Sequence, residues 1–378
     1  MSIIDSYQPI DDGARAITIP AAWYLDPEML ACERERVFSR TWQPVGRSAD
    51  VANPGDYFTC EVAGEPLVIV RDLSGALAGF YNVCRHRAAP VAIGRGNRAR
   101  LQCVYHSWTY ELDGRLCKTP GASGLADWDP AKVCLPRVAV ATWGPLVFVN
   151  LDPDADDFER LAAPMAREVE AAGLTLDGLS LVARRDYDVA SNWKVYVDNY
   201  IEAYHVPTLH PGLYSALQFD RYRVELFEQH IAQRAPLKSD PAPTAKGGDG
   251  GADPSTVYRA TDGEALYYWV FPNWMINLYP GNLQLNIVIP VDHERTITVF
   301  EWYTGEMDAD ERDRFEQAQA FSHQIQVEDV EVCEQVQRGL RSRSYDTGRL
   351  VPGQEHGLHG FHRMLHACLT SAGAAGPR

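Results

Sequence analysis

Between Trp42 and Leu151 apolar and polar positions alternate in short runs. These are YFTCEVA, PLVIVRDL, LAGFYNVC, RLQCVYHSWTYEL and VAVATWGPLVFVNL, with turn signals such as Asn53-Pro54-Gly55 and Asp113-Gly114 between them. A period of two interrupted by Gly, Pro, Asn and Asp predicts a small all-β domain. Ahead of it, Asp26-Pro27-Glu28 offers a capping side chain, a proline at the first helical position and an acid in the first turn. That combination predicts a packing helix through Val37 or Phe38. Residues 1–25 read as an extended arm. After the β-rich region come a helical stretch through about Ala172 and strands near Ser180–Ala190. Strands return over 265–304 in ALYYWVFPNWMINLYP, LQLNIVIPV and TITVFEWYT. The aromatic run Tyr267, Tyr268, Trp269, Phe271, Trp274 and Tyr279 is expected to be mostly sheet core, with a minority lining a pocket. The second half is therefore α+β.

Residues 309–340 carry a helical period. One stripe reads Phe315, Ala318, Ser322, Ile325, Asp329, Val332, Val336. Asp329 falls on this apolar face, where an unpaired carboxylate costs several kcal/mol, so it needs a partner, a metal ion or an arginine. Glu328 falls on a stripe with Gln317, Gln324, Glu331 and Gln335 and is expected to be solvated. Residues 236–257, PLKSDPAPTAKGGDGGADPSTV, lack apolar periodicity and read as a mobile loop, either an active-site cover or a surface insertion. His356, His359, His362 and His366 lie on one short helical stretch, expected to pack on the body rather than to build a second metal site. The tail SAGAAGPR is expected to be disordered.

Candidate chemistry gathers in NWKVYVDNYIEAYHVPTLHPGL, residues 192–213. Glu202 and His205 are three apart and share a helical face. His205 and His210 would point about 140° apart on a continuous helix, so both can face one point only if the helix ends between them, with Pro207 the expected breaker. Two imidazoles from one short segment suit a divalent transition metal with open positions. In the β-rich region, Cys84-Arg85-His86 and Cys103-Val104-Tyr105-His106 form C-x-H…C-x2-H with 16 residues between. Two thiolates and two imidazoles fit either a zinc ion or a Rieske [2Fe–2S] cluster. One Cys and one His from each loop favours the cluster, because each loop then reaches both irons.

The stretches NVCRHRAAPVA and CVYHSWTYELDGRL, followed by NWKVYVDNYIEAYHVPTLH, resemble the Rieske non-haem iron oxygenases, α (terminal oxygenase) subunits of ring-hydroxylating and related systems. The resemblance spans nearly the whole chain. It implies an α+β chain: an N-terminal all-β Rieske [2Fe–2S] domain, then a catalytic domain with an antiparallel sheet and long helices. The expected division is an arm and helix over 1–41, the cluster domain over 42–155 and the mononuclear iron domain over 156–378. By the resemblance, Cys84, His86, Cys103 and His106 hold the cluster. His205, His210 and Asp329 hold Fe(II), the Asp of a Glu-Asp pair followed by Gln337-Arg338-Gly339-Leu340. Glu202 stands for the carboxylate that links an iron histidine to a cluster histidine, His106 of a neighbouring subunit, which implies a homotrimer. Electrons would come from NAD(P)H through a separate reductase, sometimes with a ferredoxin. Two departures are visible: Ala88 where the family often has Gly, and Val104-Tyr105-His106-Ser107 for the commoner Pro-Tyr-His-Gly.

The substrate is expected to be a small molecule met with O2, by mono- or dioxygenation. Glu202, the single-chain length and Glu355-His356-Gly357 lean towards the choline- and carnitine-oxidising branch, and aromatic faces attract quaternary ammonium. Aromatic acids are the alternative, with Arg221 or Arg223 as carboxylate partners. A net charge of −16 and a pI near 5.1 argue against nucleic acid and anionic membranes as partners. With 46% hydrophobic residues and no leader-like N-terminus, a sizeable core and a cytoplasmic location are expected. The eight cysteines then form no disulfide framework. Two rival readings remain: a zinc-stabilised binding module, and a Rieske electron-transfer protein without catalytic iron.

Overall fold

The alternation in PLVIVR puts Leu67 and Ile69 into one apolar cluster and Val68 and Val70 into another, all four fully buried. A strand buried on both faces needs such a continuous apolar run. In the computed structural model, which describes residues 2–171, 175–238, 263–279 and 282–371, this strand sits inside the first of two compact units, Arg34–Ala163. Its strands are β1 (Gln43–Arg47), β2 (Asp56–Val62), β3 (Glu65–Arg71), β4 (Leu77–Tyr81), β5 (Arg95–Asn97), β6 (Leu101–Gln102), β7 (Thr109–Tyr110), β8 (Leu116–Lys118), β9 (Arg137–Trp143) and β10 (Leu146–Asn150). Seven form an antiparallel sheet in the order β1-β10-β9-β4-β3-β2-β5, and β6-β7-β8 form a small sheet of their own. The predicted all-β character holds.

The second unit joins the first 33 residues to those from Pro164 on. Its sheet runs β11 (Ser180–Val189), β17 (Arg295–Thr304), β16 (Asn282–Asp292), β15 (Trp274–Tyr279), β14 (Glu264–Val270), β13 (His230–Pro236), β12 (Arg223–Leu226), antiparallel throughout. Registers align Gln233, Tyr267, Asn277, Gln284 and Trp302 into one row across five strands. That row is mostly polar, yet Gln233 and Gln284 are almost completely buried. Against this face lies the long helix over 309–340, tied to it by Gln326 Nε2 donating to Thr298 Oγ1 at 3.2 Å.

The first 25 residues are not an extended arm. They form short turns and a helix, α1 (Ala21–Leu25), with Ile19 and Trp23 fully buried and Ile17 bridged to Arg349. The five residues Ala-Ala-Trp-Tyr-Leu leave no polar face to solvate, so the segment packs, with Ala21, Trp23 and Tyr24 buried. The next helix, α2 (Pro27–Arg36), begins as expected, with Asp26 accepting from Glu28 N at 2.8 Å. It does more than bury apolar surface. Glu33 is fully buried, pairs with the fully buried Lys194 at 2.6 Å and accepts from Trp193 Nε1 at 2.7 Å. Removing either partner of such a pair costs about 3–5 kcal/mol. The remaining helices are α3 (Phe158–Ala171), α4 (Trp193–Tyr200), α5 (Val206–Leu209), α6 (Pro211–Ala216), α7 (Ala309–Leu340) and α8 (His356–Thr370).

The four histidines of α8 go to separate partners, as expected of a helix packed on the body. His356 Nε2 donates to Val224 O, His359 Nε2 to Ile10 O and His362 Nε2 to Asp198, at 2.9, 2.8 and 3.1 Å, while His366 stacks on Trp23. Most of the 236–257 segment and the tail from 372 lie outside the described residues. Among the described residues, no helix is long and apolar enough to cross a membrane.

Candidate metal centres and cavity

Helix α4 starts at Asn192, whose side chain accepts from Lys194 N, and stops at Tyr200. The helix therefore ends before Glu202, not between the two histidines. Glu202 folds back on the turn instead: its carboxylate accepts from the backbone N–H of Tyr204 and, at 3.2 Å, of His205. His205 then caps α5, and His210 closes α5 and opens α6. Pro207 and Pro211 sit in the first turns of these short helices, where a missing N–H is harmless. They start helices here rather than break one. Two tight reversals bring the imidazoles to 5.1 Å between ring centroids, inclined by 82°.

Asp329 arrives from α7, anchored by a capping box between Asp308 and Glu311. Donor atoms of His205, His210 and Asp329 lie within 4.8 Å of one another. His210 Nε2 is 2.9 Å and His205 Nε2 3.9 Å from Asp329 Oδ1. Asn199 Nδ2 also donates to that oxygen at 2.7 Å. The far nitrogen of each ring meets a carboxylate: His205 Nδ1 donates to Glu202 at 2.5 Å and His210 Nδ1 to Glu328 at 2.6 Å. This fixes both rings with Nε2 turned to the shared point, the arrangement a metal-binding histidine needs. Burial alone would lower the pKa of His210, but Asp329 and Glu328 together raise it above its usual value. The donor set, two imidazoles and one carboxylate on one side of a point, fits a ferrous ion with positions left open.

Glu328 is therefore not the solvated acid that periodicity suggests. Phe315, Ala318, Ser322, Ile325 and Asp329 of the predicted stripe do line the cavity described below. Beyond Asp329 the inward face turns to Cys333, Gln337 and Leu340, while Val336 is exposed. Glu328 lies beside that turning face, and its contact with His210 is long-range, so helical spacing gave no sign of it.

In the other unit, Cys84 and Cys103 head twin loops. Each cysteine N–H donates to the carbonyl five residues on, Ala89 or Trp108. Each cysteine carbonyl accepts from the residue four on, Ala88 or Ser107. Both fourth residues are left-handed, with φ of 60° and 58°. That explains why glycine is expected at both places. The cysteines are buried, whereas His86 is exposed and 4.7 Å from the half-buried His106 ring. Tyr110 accepts from Arg85 N at 2.9 Å and so turns its own proton to Cys84 Sγ at 3.3 Å.

His106 Nδ1 is buried and lacks a hydrogen-bond partner. Such an orphaned, buried imidazole nitrogen fits a ligand of a cluster. Among the described residues, only the His205–His210–Asp329 trio gathers three donors within 4.8 Å. The Cys84 set is more open than a tetrahedral zinc site, which draws four donors around one ion. That geometry suits two irons.

Beside the trio opens a cavity of about 600 Å³, lined by the polar sheet row, by Tyr200, Tyr222 and Tyr279, and by α7. Of the aromatic run, Tyr267 and Tyr279 reach it, while Trp269 and Trp274 are buried elsewhere in the core. Arg221 and Arg223 do not line it; they are exposed, bonded to Gln218 and Glu264. The reading of either as a carboxylate partner is not supported.

Residues 176–371 match the family described as "Ring hydroxylating alpha subunit (catalytic domain)", and residues 41–129 match "Rieske [2Fe-2S] domain". The chain belongs to the Rieske ring-hydroxylating oxygenases. It is an iron-dependent oxidoreductase with a [2Fe–2S] cluster and a mononuclear iron as cofactors. It is 34% identical to the chloroplastic choline monooxygenase of Arabidopsis thaliana, over 96% of this chain and 86% of that protein. It is 32% identical to the carnitine monooxygenase oxygenase subunit of Escherichia coli K12, over 93% of each. A solved quaternary ammonium Rieske monooxygenase superposes with a TM-score of 0.80 at 29% identity, covering 94% of this chain and 96% of that one. A Rhodococcus naphthalene 1,2-dioxygenase, at 20% identity and a TM-score of 0.70, shares the fold.

Proposed function

We propose that the chain is the oxygenase component of a monooxygenase acting on a quaternary ammonium compound. In this reading residues 42–155 carry the cluster, Cys84 and Cys103 on one iron and His86 and His106 on the other. Residues 156–378 carry the ferrous ion on His205, His210 and Asp329. When bound, the two groups supply one-electron storage and dioxygen activation. One oxygen atom enters a substrate C–H bond and the other leaves as water, with two electrons and two protons taken up. The observation that carries the reading is the trio itself: two imidazoles, each oriented by a carboxylate, and Asp329, opening onto a cavity lined by tyrosines.

The chain's own residues do the positioning. Glu202 holds His205 and the 202–205 turn, and Glu328 and Asn199 hold His210 and Asp329. Tyrosine faces attract a cation that cannot be deprotonated. The named activities of the choline and carnitine relatives support the substrate class. Electrons come from a separate NAD(P)H-dependent reductase, with or without a ferredoxin. The neighbour described by its inter-subunit electron transfer supports an assembly in which Glu202 links His205 to His106 of a second copy, and the simplest ring for such a link is a homotrimer. The test is oxygen uptake by the red-brown, iron-replete protein with a surrogate reductase, across quaternary amines and aromatic acids. Product from quaternary amines alone is expected. Product from aromatic acids alone would defeat the assignment.

A further inference from the structure

The cavity's charges are one-sided. Among its described lining residues, Arg314 is the sole lysine or arginine. It lies 15 residues before Asp329 on the continuous helix α7, about 22 Å along the axis at 1.5 Å per residue. Helical side chains lean towards the N-terminus, so Arg314 leans further from the metal end. Its lining neighbours Glu306 and Glu311 are acids. At the metal end three carboxylates, Asp329, Glu202 and Glu328, stand against the two charges of a ferrous ion, a balance of minus one.

Many of the polar groups between these ends are paired with one another. Tyr200 OH donates to Asn277 Oδ1 at 2.5 Å, and Tyr222 OH to Gln233 Oε1 at 3.0 Å. Tyr279 OH donates to Tyr267 at 3.4 Å, and Tyr196 OH to Gln326 at 2.6 Å. Gln233 Nε2 donates to Tyr200 O and Gln284 Nε2 to Asn286 Oδ1. Burial keeps Tyr200, Tyr222 and Tyr267 well above the usual phenol pKa, hence neutral. The cavity thus offers aromatic faces and oxygen lone pairs to a cation. Among the described lining residues it offers no cationic side chain to an anion at the metal end, where a desolvated carboxylate costs several kcal/mol. A carboxylate four bonds from a quaternary nitrogen lies within about 6 Å of it, so a substrate at the metal cannot place that group on Arg314.

We propose that the cavity selects a quaternary ammonium substrate that carries no carboxylate, a cationic alcohol of the choline kind rather than a zwitterion of the carnitine kind. The proposal rests on the quaternary ammonium reading above and narrows it. The test uses iron- and cluster-replete protein with choline, L-carnitine and gamma-butyrobetaine. Anaerobic calorimetric titration gives binding without chemistry, and oxygen uptake matched to product gives kcat/KM. Choline is expected to exceed both zwitterions at least tenfold in each measurement. The Arg314→Gln variant is expected to leave the zwitterions' affinities unchanged. Equal or tighter zwitterion binding, or its selective loss in Arg314→Gln, would overturn the proposal. Turnover of an aromatic substrate with none of the three bound would instead overturn the quaternary ammonium reading beneath it.

Discussion

Glu328→Gln isolates one second-layer contact without touching a ligand. His210 is 2% exposed, and its Nδ1 proton goes to Glu328 Oε2 at 2.6 Å, while Gln324 Nε2 donates to the other oxygen, Oε1, at 2.9 Å. A carboxylate accepts from both. A carboxamide has one oxygen for two donors, so one bond is lost. If its NH2 turns to His210, Nδ1 must become the acceptor and the proton moves to Nε2, the atom needed by the metal. A charge-assisted hydrogen bond contributes about 1.5–3 kcal/mol. Glu328 is 28% exposed, so solvent screening reduces this to about 1–2 kcal/mol, or about 5–30-fold in iron affinity. That agrees with the roughly 10–100-fold typical of outer contacts to metal ligands. Helix propensity hardly changes between Glu and Gln. Iron retention is read by titration against a chelator, with the cluster's visible absorbance as an internal control. Glu328→Ala should lose more, because the buried Nδ1–H is then unpaired. Glu331→Gln, on the exposed side of α7, should lose nothing. Wild-type iron affinity in both Glu328 variants would refute the idea that this carboxylate sets the ring.

Further outcomes are expected. Glu202→Gln should keep the cluster, bind iron more weakly as Glu328→Gln does, and still lose coupled turnover when iron is restored to saturation, measured as product per oxygen with a surrogate reductase; wild-type coupling would remove Glu202 from the electron path. Ala88→Gly and Ser107→Gly should each stabilise the cluster-bearing unit by up to about 1 kcal/mol. Relief of a left-handed residue, about 1–2 kcal/mol, exceeds the extra unfolded-state entropy of glycine. Denaturation followed at the cluster absorbance checks this, and unchanged midpoints would contradict it. Iron binding must displace the proton that Asp329 and Glu328 hold on His210. Because that pKa is raised, iron affinity should fall by about tenfold per pH unit below it and level off above it. In the metal-free protein the same raised pKa stabilises the fold below the ordinary histidine range, and that contribution disappears as pH rises through the folded value. A flat chelator titration between pH 5 and 8 would exclude this coupling.

How much of this was legible in the sequence differs from element to element. The longer strands of the β-rich unit and the bounds of α7 follow the apolar period, because each buries a face that water cannot reach; β1, β5 and β8 fell outside the apolar runs, and β5, Arg95–Asn97, is exposed at every residue. Asp329 stood out for the same reason. The turn at Glu202 did not, since a carboxylate that caps its own backbone reads the same as one on a helix surface. Pro207 misled because Pro signals a helix start as readily as a stop. Glu328 was hidden because its partner lies 118 residues away. Ala88 and Ser107 were visible as departures from glycine, and only backbone angles give them a physical meaning.

The polar row Gln233–Tyr267–Asn277–Gln284–Trp302 shows why the cavity itself was not legible. Along LQLNIVIPV, Gln284 and Asn286 alternate with apolar residues, and period-two alternation ordinarily means that the polar face meets water. Here that face is covered by α7, and both residues are almost fully buried. A sheet that buries amides must pair them, and they pair with each other and with tyrosine hydroxyls rather than with charges. The pairing has two consequences. It holds the wall rigid around a space that no side chain fills, and it uses hydrogen-bond donors that an anionic substrate would otherwise find. The inversion of pattern that conceals the cavity is thus the same feature that sets which charge it accepts.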